Sequence, residues 1–316
     1  MAEKAAASPV TVYPDLGSKF DLWFARLSGH GLGNSFYSYF HAVVLAEQFG
    51  GRVIAPPWPS IKVGPLLRGD NSKRFYWRMF RPFPGEIYGF QKSLSLLKGW
   101  LKRTYIFIEP SSRPPLVAER LNVVCSRAFT FNGLHPYRNL IRNRLLGIVN
   151  DPLPENHSWG KGKYIAVHVR LGDFAAVTDP LVISGGKSNT RIPISWYANL
   201  VKSLRSHYPN RPIYIFSDSN GPELQPLLAL GAQLSQSGSD MTDLLAMAGA
   251  SILVGSNSTY SRWAVFLGNM PSIWVQKQVE DERPSDQRTP ILYVPIDALE
   301  PILWAQEEVS GFDSTP

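Results

Sequence analysis

Three short polar stretches each follow an apolar run: HVRLGDF from His168 to Phe174, FSDSNG from Phe216 to Gly221, and GSNSTYSRW from Gly255 to Trp263. Arg170 comes directly after the apolar YIAVHV, where a guanidinium is costly unless a fixed anion meets it, and its planar fork suits phosphate oxygens. Ser256, Asn257, Ser258 and Thr259 offer hydroxyls and backbone amides at what reads as a helix start, where the dipole and unpaired N–H groups favour an anion. The pattern points to phosphate. Each element also has an ordinary structural role open to it. Arg170 can pair with Asp173 across a tight turn, Ser256 to Thr259 can cap a helix, and Ser217 with Asp218 can start a turn. Their joint appearance at three successive strand ends favours a ligand site.

A fourth stretch, GHGLGN from Gly29 to Asn34, puts three glycines in five positions. It lacks the Gly-Lys-Ser/Thr of a P-loop and does not complete a dinucleotide fingerprint. Glycine lets a backbone approach a ligand closely, and Asn34 can cap the helix that follows or donate a side-chain N–H.

The elements that must position these residues follow from hydrophobic periodicity. FDLWFARLSG reads as a buried strand, NSFYSYFHAVVLAEQFG as an amphipathic helix, and RVIAPP as a short strand, the unit from which parallel sheets are built. The Pro-, Gly- and polar-rich DPLPENHSWGKGK, from Asp151 to Lys163, marks a boundary between domains 1–150 and 151–316. Beyond it, strand YIAVHV, helix ISWYANLVKSLRSHY, strand PIYIFSD, helices GPELQPLLALG and DMTDLLAMAGA, strand ILVGSN, helix TYSRWAVFLG and strand SIWVQ alternate. This predicts an α/β fold with a doubly wound parallel sheet in the C-terminal domain, and ligands at its carboxyl edge.

Composition narrows the classes of function. At 316 residues with 44% apolar content, the chain has material for two cored domains and is no disordered protein. The single cysteine, Cys125 in LNVVCSRA, excludes an internal disulfide framework, a zinc cluster and a CxxC redox pair, and reads as a small buried hydrophobe. Net charge is +7, which suits an anionic ligand, an acidic membrane face or nucleic acid. Residues 61–110 hold ten Lys or Arg and three acids, and ten minus three equals the charge of the whole chain. In KRFYWRMFRPFPG and LLKGWLKRTY aromatics interleave with cations, as on a membrane-surface or nucleic-acid face, or on an ordinary solvated face with snorkelling stems. The N-terminal MAEKAAASPVTVYPD has no apolar core of signal-peptide length, and no window reaches the roughly 18 apolar residues of a membrane span. The expectation is a cytoplasmic protein, peripheral at the inner membrane face if the basic window binds lipid.

With these residues in view, the chain resembles the alpha-1,2-fucosyltransferase family. GHGLGNSFYSYFHAVVLAEQFG is similar to that family's GGLGNQMFQYAFARALAE opening, and HVRLGDF to its HxRRGDY signature. RIPISWYANLVKSLRSHYPNRPIYIFSDS and DMTDLLAMAGASILVGSNSTYSRWAVFLG resemble the family's next segments in the same order. The likeness covers Phe24 to Phe49 and Tyr164 to Gln276, and leaves the basic middle unmatched. It implies an inverting glycosyltransferase of GT-B-like α/β fold, two Rossmann-like domains facing a cleft. The donor would be GDP-fucose, the acceptor a sugar hydroxyl of a glycan or lipid-linked glycan, the linkage alpha-1,2, with no metal cofactor and no nucleic acid partner.

The resemblance places bond chemistry on Arg170, Asp173 and Asn34, and donor contacts on Gly31, Gly33, Asn34, His168, Arg170, Ser217, Asp218, Ser256, Asn257, Ser258 and Thr259. Asp173 is either the base for the acceptor hydroxyl or a group that only orients Arg170. Two departures stand out: Leu171 replaces the second motif arginine, and Arg262 interrupts the family's paired tryptophans, where it can supply the missing cation. Two other classes remain open. One is a nucleotide-sugar-binding protein without turnover, and the other a basic protein binding nucleic acid or membrane on a Rossmann-like scaffold.

Overall fold

The structure is a computed structural model that describes residues 10–18, 20–22, 24–61, 75–99, 102–108, 116–117, 120–126, 128–151, 153, 157–172, 174–176, 179, 182–183, 190–236, 238–276 and 289–298. The chain divides into two compact units, Met1–Asn150 and Asp151–Pro316. Each is α/β and built around a parallel sheet, the pair of Rossmann-like units expected of a GT-B-like chain.

In the second unit, strands β8 (Ile165–Val169), β9 (Ile213–Ser217), β10 (Gln233–Leu234), β11 (Ile252–Val254), β12 (Ser272–Val275) and β13 (Ile291–Val294) lie side by side in the order β10-β9-β8-β11-β12-β13. All neighbours pair in parallel. The first three strands step one way from β8 and the last three step the other way, so the order reverses between β8 and β11. That reversal is the topological switch point at which doubly wound sheets bind ligands. β8, β11 and β12 are buried at every position, as continuous apolar runs must be when helices cover both faces of a sheet. Helix Ile194–His207 buries Trp196, Tyr197, Leu200, Val201 and Leu204, one stripe at helical spacing, against that core.

The first unit carries the parallel sheet β4-β1-β7-β6, formed by Arg52–Val53, Thr11–Pro14, Leu121–Ser126 and Arg103–Ile108. Helix Leu32–Gln48 connects β1 to β4. It is not amphipathic as the sequence suggested: from Leu32 to Ala46 every residue except Asn34 is buried. Phe129 and Phe131 stack on Tyr37, while Trp58 packs against both Phe36 and Tyr39, so aromatic side chains cover the helix from more than one side. FDLWFARLSG also departs from expectation. It forms two short antiparallel strands, β2 (Phe20–Asp21) and β3 (Arg26–Leu27), with Leu22 and Phe24 exposed in the turn between them. β3 then pairs in parallel with β5 (Ser60–Ile61). Cys125 is buried, and its thiol donates to Asp15 Oδ2 at 3.3 Å. Among the described residues no helix is long and apolar enough to cross a membrane.

Close packing of helices Asp240–Gly249 and Thr259–Gly268 depends on Gly268, where a Cβ would stand 2.4 Å from the carbonyl oxygen of Ala248. Gly31 has ordinary extended backbone, φ −63° and ψ 166°, and a Cβ there would meet nothing within 4 Å. Gly268→Ala should therefore destabilise the second unit by about 1–3 kcal/mol, while Gly31→Ala should change stability by less than about 1 kcal/mol, both read from urea unfolding. Equal effects would contradict the packing described.

Candidate functional site

The carboxyl ends of β8, β9 and β11 bring His168, Arg170, Ser217, Asp218 and Ser256 together at the switch point of the second sheet. His168 is buried at the end of β8. Its Nδ1 lies 2.5 Å from Ser261 Oγ and 3.0 Å from Ser256 Oγ. Ser261 Oγ also accepts the Ser256 backbone N–H at 3.2 Å, so the loop after β11 and the first turn of helix Thr259–Gly268 are tied to the end of β8 through one ring. Burial first, and the nearby Arg170 second, push the imidazole down to about 3, against a smaller upward pull from Asp218. The ring is neutral at ordinary pH. Ser261 spends its hydroxyl proton on Nδ1 if the proton of the ring sits on Nε2, and the hydrogen bonds of the ring to the two serines both run through Nδ1.

Asp218, at the end of β9, uses both carboxylate oxygens on the turn after β8. Oδ1 accepts Leu171 N at 2.8 Å, Oδ2 accepts Gly172 N at 3.0 Å, and Arg170 Nη1 lies 3.1 Å from Oδ2. Gly172 is needed for that approach, since a Cβ there would fall 2.3 Å from Oδ2. Asp218 thus positions Arg170 and its turn. Arg170 is partly exposed, and its guanidinium carbon stands 5.6 Å from the centre of the Phe174 ring. The pairing of Arg170 with Asp173 weighed from sequence cannot be described, because Asp173 lies outside the described residues.

The remaining strand-end residues divide between capping and access. Ser258 caps helix Thr259–Gly268 by accepting Tyr260 N, and Ser217 Oγ accepts Ser219 N, so both hold turns as their ordinary readings allowed. Asn257 and Thr259 are partly exposed beside them. Leu171 does not face the site. It is buried in the core cluster with Ile183, Ile192 and Trp196, so a cation there would enter an apolar interior. Position 171 is therefore a core position in this turn, while Arg262 is partly buried in helix Thr259–Gly268.

In the first unit, Gly31, Gly33 and Asn34 open helix Leu32–Gln48. Gly31 is the N-cap and no side chain caps the helix, so Asn34 is not a cap; its Oδ1 is buried without a hydrogen-bond partner among the described residues. The loop is clamped by a residue that sequence reasoning passed over. Arg26 is fully buried, donating from Nη1 to Leu16 O at 3.0 Å and from Nη2 to Ser35 Oγ at 3.2 Å, which fixes the exit of β1 to the helix start. Burial lowers this guanidinium to about 10. Ser261, likewise missed, lies within the GSNSTYSRW stretch and was legible as a hydroxyl in the first turn of the helix. A cation inside the apolar FDLWFARLSG was the signal for Arg26.

No family model matches the chain, and no curated protein matches it. Among solved structures it is similar to NodZ alpha-1,6-fucosyltransferase soaked with GDP-fucose, at 14% identity over 82% of this chain and 93% of that one, TM-score 0.43. The fucosyltransferase NodZ from Bradyrhizobium matches at 14% identity over 81% and 93%, TM-score 0.44. E. coli heptosyltransferase WaaC with ADP-2-deoxy-2-fluoro heptose matches at 11% identity over 96% and 99%, TM-score 0.45.

The neutral His168 makes the second unit sensitive to acid. The unfolded imidazole takes up a proton below about pH 6.5 while the folded one does not until about pH 3, so stability is lost as pH falls through that window. Between pH 7 and pH 5 this loss is about 2 kcal/mol, and His168→Asn, which keeps an acceptor near Nδ1 without the titration, should show a shallower slope by that amount. Identical slopes would place His168 outside the buried network.

Proposed function

We propose that the chain is an inverting glycosyltransferase that moves fucose from GDP-fucose to a sugar hydroxyl of a glycan, with an alpha-1,2 linkage. The observation that carries the reading is the assembly at the switch point of the second sheet: a buried neutral imidazole, an oriented arginine and a capped helix N-terminus at adjacent strand ends. These groups suit a diphosphate. Breaking the bond from sugar to phosphate builds negative charge on the leaving phosphate. An Nε2–H on His168, the Arg170 guanidinium held by Asp218, and the first amides of helix Thr259–Gly268 would stabilise that charge more in the transition state than before it. Three donors supplied by the protein make a metal unnecessary in this proposal.

The HVRLGDF and GHGLGN resemblances support fucose and the GDP carrier, and Asp173 keeps its two roles, base or partner of Arg170. Gly31, Gly33 and Asn34 are proposed as ligand contacts of the first unit, since neither backbone nor packing requires glycine at 31, and Asn34, partly exposed at the helix start, has a buried Oδ1 with no hydrogen-bond partner among the described residues. Calorimetric titration of the purified chain with GDP-fucose, GDP-mannose and UDP-galactose, in EDTA, tests the donor. GDP-fucose should bind selectively, Arg170→Ala should weaken it at least tenfold, and turnover should fall about 10²–10³-fold. Binding of none of the three sugars would overturn the reading.

One observation favours a second property, a lipid-facing surface on the first unit. Helix Gly89–Gly99 turns Lys92 and Leu96 inward and leaves Phe90, Leu94 and Leu97 exposed in one stripe, with Lys98, Lys102 and Arg103 exposed nearby. Cations beside an exposed apolar stripe fit an anionic bilayer surface and a lipid-linked acceptor. Sedimentation with phosphatidylserine vesicles should retain the protein at low salt, and Phe90→Ser with Leu97→Ser should release it; retention of the double variant would contradict this surface.

A further inference from the structure

The first unit holds a pocket of about 380 Å³, within the range of small-molecule sites. Its walls are aromatic and proline-rich, with Trp58 and Phe80 at the base and Phe24 and Tyr88 at an exposed lip. Trp58 is locked in place by Phe80, Tyr39 and Phe36, with ring centres 4.4, 5.1 and 5.8 Å away. Among the described residues two cations line the pocket, Lys92 and Arg81, and no Asp or Glu does. Arg81 is exposed and its Nε donates to Gly147 O. Lys92 is different: it is only 6% exposed.

The surroundings of the Lys92 ammonium leave it without a bonded counterion among the described residues. Its Nζ stands 5.9 Å from the centre of the Tyr13 ring. Two carboxylates lie near enough to act on it, Asp21 from β2 and Glu86 from the turn before the helix. Both are engaged elsewhere. Asp21 Oδ2 accepts the Tyr13 hydroxyl, and Glu86 accepts Tyr39 Oη at 2.7 Å and Phe83 N at 3.0 Å and lies 3.6 Å from Arg144 Nη1. Burial lowers the amine to about 8, against smaller upward pulls from Asp21 and Glu86. Lys92 lines the pocket, and a buried cation in such a wall is stabilised by an anion that arrives with a ligand.

From this geometry we infer that the pocket binds a carboxylate-bearing saccharide, with the carboxylate on Lys92 and the sugar faces against Tyr88 and Phe24. Flat aromatic lips match the apolar faces of pyranose rings. The one buried ammonium matches one negative charge, whereas the second charge of a phosphate dianion would have only Arg81, which is exposed and bonded to Gly147 O, to meet it. The pocket is also joined to the Gly-rich loop within its own unit. Arg26 N donates to Pro59 O at 2.9 Å, and Ser60 Oγ donates to Ser28 O at 3.2 Å, so the wall that holds Trp58 and the strand that enters GHGLGN move together. Naming the saccharide the acceptor rests on the transferase reading; its binding does not.

Titration with methyl glucuronide, methyl glucoside and glucose 6-phosphate, followed by saturation-transfer NMR and calorimetry, tests the inference. The glucuronide should bind at least tenfold more tightly than the other two. Lys92→Met, which keeps length and apolar fit, should remove that preference. Tyr88→Ala, at an exposed position, should weaken all binding without lowering the Tm. Neither variant should change the GDP-fucose titration, so failure of the donor reading and failure of this one are separable. Equal affinity for glucoside and glucuronide, tighter binding of the phosphate, no saccharide binding, or an unaffected Lys92→Met would each overturn it.

Discussion

A buried imidazole at a strand end has to be satisfied on the nitrogen it shows to the protein, and in the second unit two serine hydroxyls do this for His168. One of them, Ser256, lies in the loop after β11; the other, Ser261, lies in the first turn of the following helix. Leaving that nitrogen unpaired would cost about 1–3 kcal/mol, so the ring, the loop and the helix N-terminus are fixed as a group. Everything proposed for the site depends on this lock. Burial keeps the ring neutral, neutrality allows it to sit beside Arg170 without charge repulsion, and Asp218 in turn holds Arg170 by gripping the two backbone amides that follow it.

The first unit solves a similar problem with a charge. Arg26 has no exposed surface, and its guanidinium reaches the end of β1 and the start of helix Leu32–Gln48 at once. Burying a guanidinium is expensive, and its return is a Gly-rich turn whose two ends cannot drift apart. Gly29, on the inside of that turn at φ +99°, would carry a Cβ 2.6 Å from Arg26 Nη1, so the glycine and the arginine are required together. The glycines of GHGLGN therefore differ: Gly29 is required by the clamp, whereas Gly31 is the helix N-cap and a Cβ there would meet nothing within 4 Å.

Much of the second unit was legible because parallel strands covered on both faces leave uninterrupted apolar runs, and YIAVHV, PIYIFSD, ILVGSN and SIWVQ each contain a strand. Two strands were not foreseen. Gln233–Leu234 is too short for a pattern, and Ile291–Val294 follows a stretch with no periodic lead-in. The first unit was harder. Its helix reads as amphipathic because serines, tyrosines and His41 look like an exposed face, yet tertiary aromatic packing buries them. FDLWFARLSG reads as a strand because apolar content alone does not reveal the tight turn at Leu22 to Ala25. At the site, residue types were legible and partners were not: Asp218 looked like a ligand contact, and only the fold shows its oxygens spent on Leu171, Gly172 and Arg170. Long-range pairs such as these are invisible to spacing.

The account turns on where a nucleoside diphosphate sits. A crystal structure of the chain with GDP answers that directly. The terminal phosphate should lie within hydrogen-bond distance of His168 Nε2 and of the first turn of helix Thr259–Gly268, with Arg170 still on Asp218. GDP bound away from the carboxyl ends of β8 and β11, or a terminal phosphate that leaves His168 untouched, would contradict it.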